Sequence, residues 1–193
     1  MTKLLILLSL ILTLIACVPT ALTGGSYTGV QLASDRREAS ALEHDKEIEE
    51  ELTKTIRSKD HERNIHITVV SFNEKVLLIG QVPNEAKKIE LGQLATQTPH
   101  VKKVYNELTI GPVTGLAQRA TDTWITARVK TAIIGNNTLG SLLIDVITEN
   151  NTVYLIGFVT EAEGDQAMEK ARSIKGVKEV VKFFEYVKPP EEN

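Results

Sequence analysis

The stretch Val76-Leu77-Leu78-Ile79-Gly80-Gln81-Val82 decides the fold, because it recurs 77 positions later as Val153-Tyr154-Leu155-Ile156-Gly157-Phe158-Val159. The flanking residues repeat in the same way: Ile48, Leu52 and Asn73 match Ile125, Val129 and Asn150 at that offset, and Val101 and Val104 match Val177 and Val180 after one deleted residue. So many matches at one spacing indicate a tandem duplication of a unit of about 65 residues.

The first unit is predicted to run helix, strand, strand, helix, strand. Ile48 and Leu52 have helical spacing, and the β-branched-rich segments 64–72 and 75–82 flank a tight turn at Asn73-Glu74. Asn84 is expected to cap a helix that ends near Gln97, and residues 101–110 form the closing strand. The prediction is an α+β fold of two tandem αββαβ sandwiches, each a small three-stranded mixed sheet with its helices on one face. The second and third strands should be parallel, because a helix connects them.

The second unit shows the same order. Asp122 is expected to cap a helix that ends near Ile134, and strands at 142–148 and 152–159 flank the turn around Asn150. Thr160 and Glu163 form a capping box before a helix to about residue 174, and the last strand covers 177–187. Gly80 and Gly157 lie inside strands, where glycine weakens pairing, so we expect a structural role such as a bulge or the close approach of a helix.

The N-terminus has the features of an export signal. Lys3 precedes an apolar run at 4–15 that is too short to span a bilayer, which needs about 20 residues. The run ends in Leu14-Ile15-Ala16-Cys17, which resembles a bacterial lipobox. This resemblance implies cleavage before Cys17, a diacylglyceryl group on its sulfur and a fatty acyl group such as palmitate on its new amino terminus. A secreted protein with a spare thiol is the alternative, although an exposed thiol is a liability in an oxidising compartment.

These features divide the chain into segments. The order is a signal peptide at 1–16, a lipidated N-terminus and flexible tether at 17–43, a first domain at 44–112, a hinge at 113–120, a second domain at 121–188 and a C-terminal tail at 189–193. Val18 follows the cysteine, where aspartate would favour retention at the inner membrane. The expected location is therefore the periplasmic face of the outer membrane.

Composition and motifs argue against nucleic-acid binding and catalysis. The formal net charge is −3, whereas a general nucleic-acid binder carries a basic surface. The chain has one cysteine, no HExxH motif and no glycine-rich phosphate loop, so no enzyme, metal site or cofactor is expected beyond the acyl groups on Cys17. His61-Glu62 and His66 could form a metal or acid–base pair, but they do not have ligand spacing. The histidines are therefore interpreted as ordinary surface or half-buried ones: His44, His61, His66 and His100. An undetected enzyme is a remote alternative.

The repeated unit resembles the BON domain. The similarity is carried by the "V-x-L-x-G-x-V" strand at 76–82 and 153–159 and by Gly176-Val177-Lys178-Glu179-Val180. A lipobox followed by two such units, with Trp124 opening the second, is similar to the dual BON-domain lipoproteins of the outer membrane. The resemblance implies binding to anionic phospholipid such as phosphatidylglycerol or cardiolipin, action at division sites and support of envelope integrity.

The leading helix of the second unit carries a second apolar stripe. At 100° per residue its core stripe is Ile125, Val129, Ala132 and Ile133, whereas the stripe on nearly the opposite side is Trp124, Ala127, Thr131 and Ile134. Arg128 and Lys130 flank this stripe, so these six residues are predicted to contact lipid. The leading helix of the first unit is rich in glutamate and should be repelled by an anionic bilayer.

Three alternatives concern the basic and aromatic residues of the second unit. Trp124 could pack on the hinge or on the first unit. It could also be a protein hot spot, which would make the chain an adaptor for the outer-membrane β-barrel assembly machinery. Four basic residues near the end of the second unit form what we call the late basic cluster: Arg172, Lys175, Lys178 and Lys182. They are interpreted as solvated side chains at a sheet edge, although they could add to the contact with lipid phosphate.

Overall fold

The computed structural model describes residues 38–59, 64–135, 139 and 144–188. In this part of the chain the first domain consists of α1 (Ala39–Lys59), β1 (His66–Phe72), β2 (Lys75–Val82), α2 (Glu85–Gln97) and β3 (Lys103–Ile110). The second domain consists of α3 (Leu116–Ile134), β4 (Ile144–Glu149), β5 (Thr152–Val159), α4 (Glu161–Arg172) and β6 (Glu179–Tyr186). The predicted signal peptide, the predicted lipidation site Cys17 and the tail at 189–193 lie outside the described residues.

Both domains form the predicted three-stranded mixed sheet. The strand orders are β1-β2-β3 and β4-β5-β6. The first two strands of each sheet are antiparallel, and the second and third are parallel, as expected from the helix that connects them. The predicted fold class, a pair of tandem αββαβ sandwiches, is therefore confirmed.

A hydrophobic core lies between the helices and the sheet of each domain, and the two cores correspond position by position. Ile48, Leu52, Val76 and Leu78 of the first core match Ile125, Val129, Val153 and Leu155 of the second. These are the apolar positions of the repeat, which explains why the pattern was readable from the sequence.

A third hydrophobic cluster joins the two sheets through the faces that point away from the helices. It contains buried residues of both domains: Val70, Phe72, Leu77, Ile79, Tyr154 and Ile156. Phe72 packs against Phe158 across this cluster, with ring centroids 5.2 Å apart. The central strands are thus buried on both faces, which accounts for their continuous apolar runs in place of alternation.

Polar contacts at the edge of this cluster also connect the domains. Gln81 donates a buried hydrogen bond of 2.7 Å from Nε2 to Glu149 Oε1. Lys75 Nζ lies 3.0 Å from Glu185 Oε1, and Asn73 donates to the other oxygen of the same carboxylate at 3.0 Å. The sequence analysis did not predict how the domains are oriented, because these pairs join residues far apart in the chain.

The turn between the first two strands of each domain is held by a buried aspartate of the leading helix. Asp122 accepts hydrogen bonds from the backbone N–H groups of Asn150 (3.0 Å) and Asn151 (2.9 Å). Asp45 does the same for Asn73 and Glu74, both at 2.7 Å. Asp122 is therefore not the N-cap that was predicted, because it lies seven residues inside α3 and caps a turn instead.

Two helices begin earlier in the chain than predicted. Helix α1 begins at Ala39, inside the segment 17–43 that was assigned to the tether. Helix α3 begins at Leu116 with Gly115 as its N-cap, so most of the predicted hinge 113–120 is helical. The connection between the domains is limited to residues 111–115. The other predicted caps are confirmed: Asn84 accepts from the backbone of Lys87, and Thr160 and Glu163 form a reciprocal capping box.

Gly80 is required by the neighbouring strand. Its φ is +132°, and a Cβ at this position would lie 1.9 Å from the backbone carbonyl oxygen of His66 on β1. The close approach comes from an adjacent strand and not from a helix, which corrects one of the two expectations. Gly157 occupies the matching position, between Ile144 and Phe184 in the register of the second sheet.

Candidate functional site

The outward face of helix α3 carries large apolar side chains that the domain core does not use. Trp124 is 49% exposed and Ile134 is 69% exposed, although both belong to a helix whose other face is fully packed. The remaining predicted contact residues, Ala127, Arg128, Lys130 and Thr131, are also exposed. Trp124 is therefore not buried against the hinge or the first domain, which was the structural alternative.

Leu116 belongs to the same face and was missed by the sequence analysis. It is 84% exposed at the first position of α3. At 100° per residue, Leu116 and Ile134 lie in the same direction, roughly 80° from Trp124. The residue was overlooked because the helix was expected to begin near Asp122. Gly115 at the N-cap position, followed by Leu116 and Ala120 at helical spacing, was the available signal.

We call this surface the α3 outer face and define it by its exposed residues: Leu116, Ala117, Ala120, Thr123, Trp124, Ala127, Arg128, Thr131 and Ile134. Helix α3 has 19 residues, so the face extends over roughly 27 Å at 1.5 Å per residue. Along this length, its one charged side chain is Arg128. It is a long and narrow apolar strip.

The threonine hydroxyls of this helix are satisfied by its own backbone. Thr123 Oγ1 donates to the carbonyl of Arg119 at 2.9 Å, and Thr131 Oγ1 donates to that of Ala127 at 2.8 Å. Because each hydroxyl bonds to the carbonyl four residues earlier, the polar atom has a partner without water. These threonines can therefore enter a less polar environment at a smaller cost than a hydroxyl that depends on solvent.

The two cations near the α3 outer face have different partners. Arg128 places its guanidinium carbon 5.6 Å from the centre of the Trp124 ring, within cation–π range. Lys130 Nζ lies 4.0 Å from the carboxylate of Asp145 on β4. The positive charge of Lys130 is thus partly offset by the protein, whereas that of Arg128 lies beside the aromatic ring on the outer face.

The opposite side of α3 is fixed to the domain, so the outer face is presented rigidly. Ile125, Val129 and Ile133 are buried in the core, and Thr126 Oγ1 bonds to Thr148 Oγ1 of β4 at 2.8 Å. The buried Asp122 adds its two bonds to the hairpin turn. Rotating the helix to bury Trp124 would break all of these contacts.

The late basic cluster is partly neutralised by carboxylates. Lys182 Nζ lies 3.1 Å from Asp165, and Arg172 lies 3.5 Å from Glu169. The hydrogen bond to Asp165 raises the pKa of Lys182 above its ordinary value. These pairs are typical of solvated surface side chains. Because carboxylates offset part of its positive charge, the cluster should attract a lipid phosphate less strongly than Arg128 does.

A cleft of about 350 Å³ beside α3 is lined in part by polar groups. Those that could take part in catalysis or binding already have partners in the protein. Glu149 accepts from Gln81 and lies 3.4 Å from His66 Nε2. Arg119 Nε donates to the carbonyl of Thr114 at 3.0 Å. The cleft therefore reads as part of the contact between the domains.

The histidines make contacts that the sequence analysis did not predict. His44 and His100 stack with ring centroids 3.9 Å apart, and His44 Nδ1 lies 2.9 Å from Glu74 Oε1. His66 pairs with Glu149, and His61 lies outside the described residues. The convergence of His44, Glu74 and His100 was missed because the three residues are separated by at least 26 positions in the chain.

None of the helices in the described residues combines the length and the hydrophobicity that crossing a bilayer requires. This finding concerns the described helices alone.

Comparison with known proteins identifies relatives for nearly the whole chain. The family model described as the BON domain matches residues 44–112 and 121–188. The "Outer membrane lipoprotein DolP" of Haemophilus influenzae is 36% identical over 187 residues, which cover 96% of each chain. The "21 kDa hemolysin" of Actinobacillus pleuropneumoniae is 37% identical over 155 residues and 79% of each chain.

Among solved structures, CdsD, a structural protein of the type III secretion system of Chlamydia trachomatis, is 15% identical and covers 78% of this chain and 93% of its own. Its TM-score of 0.31 is too low to carry an argument. The sequence relatives support an envelope-associated function, and neither the family description nor their names denote an enzyme.

Proposed function

Because this chain belongs to the BON-domain family and resembles DolP over almost its full length, we propose that it is an outer-membrane lipoprotein that binds anionic phospholipid. It is anchored on the periplasmic side through acyl groups on Cys17, and it contacts the bilayer with the α3 outer face. Through this contact it supports envelope integrity, with enrichment at division sites.

The observation that carries the proposal is the exposure of Trp124 on a helix whose other face is already packed. An indole at a bilayer interface places its ring among the headgroups and its N–H near polar atoms. Leu116 and Ile134 extend the apolar contact toward the two ends of the helix. Arg128, held beside the indole, is placed to meet a lipid phosphate.

The strength of this contact suits a tethered protein. Partial burial of Trp124 and Ile134 stabilises binding by roughly 2–4 kcal/mol, and Arg128 adds about 1 kcal/mol. A total of roughly 3–5 kcal/mol corresponds to a dissociation constant of roughly 0.2–6 mM. An acyl anchor makes the contact intramolecular, at an effective concentration on the order of mM. The anchor therefore retains the protein on the membrane, and α3 selects anionic lipid.

Vesicle flotation tests the proposal. The chain from residue 17, carrying Cys17→Ser to prevent acylation, should float with phosphatidylglycerol or cardiolipin vesicles and should remain below neutral phosphatidylcholine vesicles. Added salt should weaken the binding, since part of it is electrostatic. Trp124→Glu should reduce binding at least tenfold, and Leu116→Ala should reduce it about fivefold.

Glu47→Gln is the matched control, because Glu47 occupies the position of Trp124 in the first domain and is equally solvent-facing. It should leave binding unchanged or slightly stronger. Unaltered flotation of Trp124→Glu would remove the α3 outer face from the lipid site.

The same experiment separates lipid contact from protein contact. An exposed tryptophan beside an arginine is also typical of a protein hot spot, which keeps an adaptor acting on the β-barrel assembly machinery as the second candidate. Failure to float with any anionic vesicle, together with Trp124-dependent crosslinking to that machinery in cells, would favour the adaptor.

A further inference from the structure

Two imidazoles and a carboxylate converge at one end of the first domain. His44 lies on α1, Glu74 in the turn between β1 and β2, and His100 in the loop before β3; one ligand atom from each lies within 4.8 Å of the others. Three separate segments therefore supply one cluster. Glu74 is a buried residue, with 8% of its surface exposed.

The second domain shows that the fold does not require these side chains. At the matching positions it carries Thr121, Asn151 and Gly176, and Asn151 Nδ2 donates directly to the carbonyl of Gly176 at 3.0 Å. The backbone frame is nevertheless the same, since Lys102 N donates to Glu74 O at 2.8 Å and Lys178 N to Asn151 O at 3.0 Å. The turn and the loop close equally well without metal-binding groups.

The backbone conformation at His100 also indicates that the fold does not require a histidine there. Its φ is +66°, and Gly176 has a φ of +98° at the corresponding position. Left-handed backbone favours glycine, because a Cβ is disfavoured there. The first domain therefore holds a histidine where local geometry favours glycine, and this histidine stacks on His44.

We propose that His44, Glu74 and His100 bind a divalent metal ion such as Zn²⁺. Two imidazole nitrogens and one carboxylate oxygen are a donor set that Zn²⁺ uses, with a fourth position left to water. Ligand atoms at about 2.1 Å around a tetrahedral ion lie roughly 3.4 Å apart, so the three groups need to close by little more than an ångström. The side chain of His44 is 30% exposed and His100 is exposed, which gives the ion a path from solvent.

The carboxylate of Glu74 already contacts two nitrogen groups. Glu74 Oε1 faces His44, and its Oε2 contacts the ammonium group of Lys102. Lys102 is 67% exposed, so it can move toward solvent when an ion takes the carboxylate. Its positive charge opposes a dication at the same site.

Calorimetric titration of the mature chain, carrying Cys17→Ser, with Zn²⁺ tests this proposal. The expected result is one ion per chain, with affinity at least tenfold weaker in His44→Ala and in His100→Ala. Lys102→Gln should bind several-fold more tightly, because a neighbouring positive charge is removed. Trp124→Glu should bind Zn²⁺ normally, which keeps the result independent of lipid contact.

His66→Ala is the matched control, since His66 also lies beside a carboxylate, Glu149, but is not part of the three-ligand cluster. Its Zn²⁺ affinity should equal that of the parent chain. Equal affinity in the parent, His44→Ala and His100→Ala would overturn the site.

A measurement on the unaltered side chains covers the case in which a variant does not fold. Zn²⁺ should shift the ring ¹⁵N resonances of His44 and His100 and leave those of His66 in place. If Zn²⁺ at about 1 mM shifts neither His44 nor His100, the three side chains form a hydrogen-bonded cluster only, and the proposal is overturned.

Discussion

Helices α1 and α3 open the two halves of one duplicated sequence, and they differ almost entirely on their outward faces. Trp124, Ala127, Arg128, Thr131 and Ile134 of α3 replace five exposed, charged residues of α1 at the 77-residue offset: Glu47, Glu50, Glu51, Lys54 and Arg57. The inward faces are conserved between the halves, with Ile48, Leu52 and Asp45 matched by Ile125, Val129 and Asp122. Packing constrains one side of the helix, and the other side is free to acquire a function.

The comparison extends to a second set of matched positions in the first domain. His44, Glu74 and His100 occur there where the second domain has Thr121, Asn151 and Gly176. Each domain therefore carries its own departure from the shared frame: an apolar outer face in one and a cluster of metal-binding groups in the other. Since each domain serves as a control for the other, both departures can be tested by substitution at matched positions.

The largest expected effect concerns the frame that the domains share. Gly80→Val should unfold the first domain, because the new Cβ would meet the His66 carbonyl oxygen at 1.9 Å in a backbone with a φ of +132°. We expect a loss of more than about 4 kcal/mol, measured by thermal unfolding and by amide spectra of each domain. Gly157→Val should also destabilise the second domain, but by less, since Gly157 does not share the positive φ of Gly80.

Gly115→Ala is the control for this experiment, since nothing lies within 4 Å of a Cβ at Gly115. It should change stability by at most about 1 kcal/mol, because alanine is a poorer N-cap than glycine. A Gly80→Val protein with parental stability would refute the assigned close approach of the strands.

The next largest effect, on vesicle binding, is expected when residues are exchanged between the outward faces of α1 and α3. Trp124→Glu combined with Ile134→Arg gives α3 two of the residues of α1 and should lower anionic-vesicle binding about thirtyfold, because roughly 2 kcal/mol of apolar contact is lost. The reverse exchange, Glu47→Trp with Arg57→Ile, should restore little of it, since Glu50 and Glu51 are still exposed beside the new tryptophan. Flotation measures both, and strong binding by the reverse exchange alone would show that charge does not matter.

A smaller effect distinguishes the two cations of α3. Arg128→Gln should weaken vesicle binding about fivefold and reduce its dependence on salt, since one interfacial cation contributes about 1 kcal/mol. Lys130→Gln should weaken it less than twofold, because Asp145 already lies 4.0 Å from Lys130. Equal losses in the two variants would mean that Asp145 does not reduce the contribution of Lys130.

The smallest effect at neutral pH concerns Tyr154, in the hydrophobic cluster that joins the two sheets. Burial raises the pKa of Tyr154 to about 12, whereas Leu77, its counterpart in the first domain, does not ionise. The folded protein keeps this proton more tightly than the unfolded chain does, so stability should fall as the pH rises from about 10 toward 12. Tyr154→Phe should weaken this alkaline loss and leave stability at pH 7 nearly unchanged, as measured by denaturant unfolding across pH.

Much of the local structure could be predicted because its signals are close together in sequence. The sequence signals for the turn at Asn73-Glu74, where both residues have a positive φ, and for the capping box at Thr160 and Glu163 lie at most three positions apart. The predicted start of α3 was wrong by seven residues, because the polar residue Asp122 resembled an N-cap and Gly115 occupies that position. Its real partners, Asn150 and Asn151, lie 28 and 29 positions away.

The sequence by itself determined the duplication, the α+β units and the apolar outer face of α3, because periodicity and repetition are properties of the order of residues. The tertiary structure alone decided that the two sheets pack together through Leu77, Ile79, Tyr154 and Ile156, and that His44, Glu74 and His100 meet. Such contacts depend on which faces are left uncovered once each domain has folded. Distance along the chain contains no information about them.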